Sequence, residues 1–169
     1  ARFIEIFHSW VQQQSMDEMM IDVADYRHVP AGPGVVLVGH ESDYAMDNAE
    51  NRYGLLYNRK AVLEGSNHDR FRHSLEQAAH ACRLLEVALD GEAPLRFDRR
   101  DFELIINDRA LAPNTPQTYA ECKADLESFL NKTLGHSDFN LQHRDDPRRR
   151  FSVNIKLKKP LDLEAIAVH

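Results

Sequence analysis

The chain has 169 residues, 43% of them apolar and 28% charged, which suits one folded domain and excludes a disordered or fibrous chain. No apolar run approaches the roughly 20 residues that cross a bilayer as a helix, so no membrane partner is expected. The formal net charge of −6 repels phosphate backbones and argues against general nucleic-acid binding.

The charge is unevenly spread. Residues 1–57 hold three basic and nine acidic side chains, whereas residues 139–169 hold seven basic and four acidic. Glu5 and His8 break the apolar run at the N-terminus, so no export signal is expected, and Ala1 fits removal of an initiator methionine. Cys82 and Cys122 fall on apolar stripes of expected helices, with neither a CxxC pair nor zinc-ligand spacing. Two buried, reduced thiols and a cytoplasmic setting follow.

Taken in chain order, RFIEIF (2–7) reads as a short strand and HSWVQQQ (8–14) as a short helix. EMMIDVADY (18–26) places Ile21 and Val23 at period two and reads as a strand. RHVPAGPG (27–34) carries two prolines and two glycines and must be a loop. VVLV (35–38) reads as a strand buried on both faces. YGLLYNRK (53–60) reads as its antiparallel partner across a polar connection of about a dozen residues. That pairing would put Arg59 and Lys60 at the end opposite His40.

The second helix is expected over 69–91, with Phe71, Leu75, Ala78, Cys82, Leu85 and Leu89 on one stripe. Asn67 or Asp69 would cap its start and Gly91 would end it. LRF (95–97) and FELII (102–106) read as strands. The third helix has the sharpest boundaries: Thr115 at the N-cap, Pro116 at the first helical position and Gly135 just past the end. FNLQH (139–143) and FSVNIKL (151–157) alternate strictly and form a hairpin closed by RDDPRRR (144–150). Residues 160–169 are apolar enough to dock. The pattern predicts a single α+β domain, 1–169, with a mostly antiparallel sheet of about six to eight strands and two long helices on one face.

The candidate site is the rim that follows VVLV. His40, Glu41, Asp43, Tyr44 and Asp47 gather at a strand end, and Arg109, after FELII, could clamp a carboxylate or phosphate. These six residues are the expected ligand-binding set. In the metal-dependent alternative His40 is the base, with Glu41, Asp43 or Asp47 holding a divalent cation. The spacing matches no known calcium loop, and HExxH is absent. PAGPG precedes a strand, so it cannot cradle a phosphate at a helix start. His73 and His80 lie two helical turns apart, too far to share a metal. Ser42, between two acids, is a poor nucleophile, and neither GxSxG nor SxxK is present.

With no complete catalytic constellation, the first reading is a non-catalytic domain that binds a small ligand or a protein partner, as a homo-oligomer joined at sheet edges. Two alternatives stand beside it: the metal-dependent enzyme, and a subunit of a larger assembly docked through hairpin 144–150. The phrases IDVADYRHVPAGPGVVLVGHESDYAMD, GLLYNRK and NDRALAPNT resemble a group of uncharacterised bacterial proteins over roughly residues 21–115. The resemblance implies a bacterial cytoplasmic setting and assigns no activity, cofactor or residue role.

Overall fold

The computed structural model describes residues 2–48 and 52–167. The expectation at Ala1 and the last two residues of segment 160–169 lie outside the described residues. The chain divides into two compact units, one of 1–64, 73–97 and 163–169, the other of 65–72 and 98–162. The elements run α1 (Arg2–Gln13), β1 (Met20–Asp25), β2 (Val35–Gly39), β3 (Ser42–Asp47), β4 (Gly54–Arg59), α2 (Asn67–Ala88), β5 (Asp101–Ile106), α3 (Pro116–Leu134), β6 (Phe139–His143), β7 (Phe151–Leu157) and α4 (Leu163–Ile166).

The α+β class holds, but the single sheet does not. A four-stranded sheet, β1-β2-β3-β4, and a three-stranded sheet, β5-β7-β6, take its place, with four helices in all among the described residues. Every pairing is antiparallel. The expected strand at 95–97 is irregular backbone. The expected strand at 2–7 is the first half of α1. Phe3, Ile4, Phe7, Trp10 and Val11 recur at helical spacing, and only the window beyond residue 7 reveals it. Phe7 and Trp10 are buried by that stripe.

In the first unit, β3 intervenes where β2 and β4 were expected to pair. Ser42, Tyr44 and Met46 point to the inner face, while Asp43, Ala45 and Asp47 point outward. The inner face carries the rows Val23–Leu37–Tyr44–Tyr57 and Val35–Met46–Leu55. These pack with Phe7, Trp10, Met16 and Met20, and with Ala81 and Leu85 of α2. Two glycines let the backbone approach itself closely. Gly34 has φ +74° and would place a Cβ 2.1 Å from the Met46 carbonyl oxygen; a Cβ on Gly39 would lie 2.6 Å from that of Ser42.

In the second unit, β7 is central and buries Phe151, Val153, Ile155 and Leu157. Hairpin β6–β7 forms in the register Phe139↔Leu157 to His143↔Val153, and β5 takes the other side of β7. α3 buries Cys122, Leu126, Phe129 and Leu130, and its Tyr119 stacks on His143 with ring centroids 5.1 Å apart. Cys122 is buried as expected, and burial pushes its thiol pKa up; Cys82 is only half-buried. No described helix is long and apolar enough to cross a membrane.

Candidate functional site

The rim expected after VVLV is a strand, not a loop. The chain reverses at His40 and Glu41 and returns at once as β3. Alternation then disperses the candidate residues. His40 is exposed in the turn, and Tyr44 is fully buried on the inner face. Asp43 lies on the outer face near the turn, and Asp47 lies at the far end of the strand, opposite Gly54. Arg109 belongs to the second unit and is described with it below.

The same register corrects the placement of the cations. Because β3 lies between β2 and β4, the end of β4 returns to the His40 end of the sheet. Arg59 Nη1 pairs with Glu41 Oε2 at 2.8 Å, and Lys60 Nζ lies 2.8 Å from both Asp43 Oδ1 and the Gly39 carbonyl oxygen. Glu41 and Asp43 are therefore neutralised by neighbours on β4 and its continuation. Such partly exposed pairs contribute about 1 kcal/mol or less each, so their effect is chiefly to fix geometry and charge.

Sequence reading missed Glu18, which clasps this turn. Its carboxylate accepts the Glu41 backbone N–H at 2.6 Å and the Ser42 hydroxyl. Desolvation, opposed by those hydrogen bonds, raises its pKa. Ser42 is fully buried, so its hydroxyl cannot meet a substrate from solvent. Beside it, Tyr44 donates to Gln77 Oε1 at 3.1 Å, and Gln77 Nε2 donates to Asp17 Oδ2 at 3.1 Å. The Tyr57 hydroxyl lies 3.1 Å from His73 Nε2. Burial raises the pKa of both phenols and lowers that of His73. Among the described residues, no three His, Cys, Asp or Glu side chains come together to hold a metal ion.

The chain was also compared with protein families, curated proteins and solved structures. It matches none of them.

The second unit carries a different arrangement. Asn114 Nδ2 donates to the carbonyl oxygens of Arg144 and Asp146, both at 2.8 Å, and Asn114 Oδ1 lies 2.7 Å from His143 Nε2. Arg109 Nη2 donates to the Arg148 carbonyl oxygen at 3.1 Å, and Arg150 Nη1 donates to Asn107 Oδ1. Asp146 grips Arg148 through both carboxylate oxygens, at 3.1 and 3.0 Å, which lowers the Asp146 pKa. Asp108 Oδ1 accepts the N–H groups of Ala110 and Leu111, closing the facing loop on itself. Loops 107–115 and 144–150 are thus locked into one tip. It presents Arg109, Arg148, Arg149 and Arg150 to solvent, and Leu111 in loop 107–115 is 85% exposed. Of the expected ligand-binding residues, Arg109 alone lies here. Asn114 and His143 escaped notice because each reads locally as a turn or strand-end residue. Elsewhere in this unit a polar cleft of about 370 Å³ is lined by Ser66, Asn67, His68, Asp125, Ser128 and Lys132.

Proposed function

We propose that this chain is a non-catalytic protein-interaction domain, acting in a bacterial cytoplasm, that presents the 107–115/144–150 tip to an acidic surface of a partner protein. The observation that carries the reading is the pinning of this tip by side chains from outside the hairpin. A merely solvated charged turn gains little from being held by Asn114, Arg109 and Asn107. Ordering a mobile side chain at an interface costs on the order of 0.5–1.5 kcal/mol, so a tip already ordered binds more tightly for the same contacts. Guanidinium groups are suited to bidentate carboxylate recognition, and the exposed Leu111 of loop 107–115 offers apolar contact.

Catalysis at the 40–47 segment has less support. Glu41 and Asp43 are engaged by Arg59 and Lys60, and Ser42 and Tyr44 are sealed in the core. The test is capture from an extract of the native host by the tagged full chain and by the triple variant Arg148→Glu, Arg149→Glu, Arg150→Glu. An acidic protein released by salt should be lost from the triple variant and kept by a control, Lys123→Glu. Retention by the triple variant, or recovery of nucleic acid in place of protein, would refute the proposal.

A further inference from the structure

A terminal strand offers N–H and C=O groups that no further strand takes up, and such edges pair readily with another chain unless they are guarded. Among the described residues, three of the four terminal strands are guarded. β1 breaks register between Met20 and Asp22 and carries Asp22 and Asp25. β5 carries Asp101 and Glu103. β6 is five residues long, with exposed Asn140 and Gln142. β4, with the sequence GLLYNR, has no proline and no charge before Arg59. Its register against β3 runs unbroken from Ser42↔Arg59 to Asp47↔Gly54.

We infer that β4 is where two copies of this chain join, antiparallel, about a two-fold axis through Leu56. Directly opposed residues in a sheet share a face, so identical strands related by such an axis must be centred on a residue, not between two. Centred on Leu56, Leu56 meets its own copy on the outer face. On the inner face Leu55 meets Tyr57, and Tyr53 meets Arg59. Gly54 meets Asn58. Apolar side chains oppose apolar ones, and an aromatic ring opposes a guanidinium. Tyr53 is 65% exposed, with one side of its ring turned toward Phe3 at a centroid distance of 6.2 Å. Centring on Tyr57 would set Leu55 against Arg59 and Leu56 against Asn58. Counting pairs with both members inside β4, centring on Leu55 would pair only Gly54 to Leu56, where the Leu56 register pairs Gly54 to Asn58. The product is a continuous sheet in which both copies keep α1 on the same face. A C2 contact of this kind closes after two copies and does not propagate into a fibre.

The dimer inference uses no residue of the arginine tip, so either proposal can fail while the other stands. Sedimentation velocity of the full chain should give twice the 19.5 kDa chain mass. Leu56→Lys sets two ammonium groups against each other on the axis and should weaken dimerisation at least tenfold, with an unchanged circular dichroism spectrum. Because Leu56 is half-buried, a second variant guards against misfolding. Leu56→Cys should cross-link two copies on mild oxidation, since residues opposed on the axis bring their Cβ atoms to about 4.5–5.5 Å. Leu55→Cys, offset from its own copy, should cross-link no more than the wild type. A monomer at every concentration overturns the inference. So does a dimer that Leu56→Lys leaves intact, or one that Leu56→Cys fails to cross-link.

Discussion

Glu18 and His73 show how single residues near the first hairpin set its stability. The Glu18 carboxylate satisfies a buried hydroxyl and a turn N–H. Glu18→Ala strands the Ser42 hydroxyl without its acceptor and should lower unfolding free energy by about 1–3 kcal/mol. Urea unfolding reads this directly, and Glu18→Gln, which keeps an acceptor, should lose less. His73 gives a pH signature. Burial first, then the Arg59 charge, lowers its pKa from the ordinary 6.5, against the opposing pull of Glu76, Glu41 and Asp17. The unfolded chain therefore takes up this proton before the folded one, and stability is lost as pH falls below 6.5. Glu18 acts in the other direction. Its raised pKa means that the folded state holds its proton longer, so stability falls as pH rises through the window just above 4.5. Melting temperatures across this range should show a shallower acid-side loss in His73→Gln than in the wild type. Superimposable profiles would sink the assignment to His73. Neither residue was legible beforehand, because each acts through a partner 16 to 24 residues away in sequence.

At the scale of elements, α3 is the helix whose ends the chain writes most plainly. Thr115 has extended backbone, φ −131°, and its hydroxyl accepts the Thr118 N–H at 3.2 Å. Pro116 opens the helix, and Gly135, at φ +72°, closes it by donating to the Asn131 carbonyl oxygen. Thr115→Ala should cost about 1 kcal/mol and Thr115→Ser much less, as thermal denaturation would show. These features are readable because capping is a reaction between near neighbours. Helix α2 obeys the same logic one position earlier than expected. Ser66 accepts the Asp69 N–H, and Asp69 in return accepts from the Ser66 N–H and hydroxyl. β3 resisted reading for the opposite reason. SDYAMD does alternate, but its outer-face acids give it the composition of a loop, and the inner-face Ser42 becomes a core residue only because Glu18 takes its hydroxyl. α1 was misread because six residues of RFIEIF hold too little of a 3.6-residue period to exclude a strand.

For the whole molecule, the uneven charge acquires a location. The basic C-terminal stretch supplies three of the arginines on the second unit's tip, and the acidic N-terminal stretch meets Arg59 and Lys60 beside the first hairpin. What was expected as one acidic site is a turn whose Glu41 and Asp43 are neutralised, and the hairpin tip at 144–150 is a braced cationic surface. The chain by itself determined the α+β class, the caps of α3, the β6–β7 hairpin and the buried run at 35–38. Each of these follows from steric preference or burial period within a short window. Only the tertiary structure decided that the strands divide between two sheets, that β3 separates β2 from β4, and that Arg59 and Lys60 reach the His40 end. A period of two tells which face a residue takes and leaves open which strand lies beside it. That choice belongs to contacts far apart in the chain, and at this hairpin it reversed the charge environment of the candidate site.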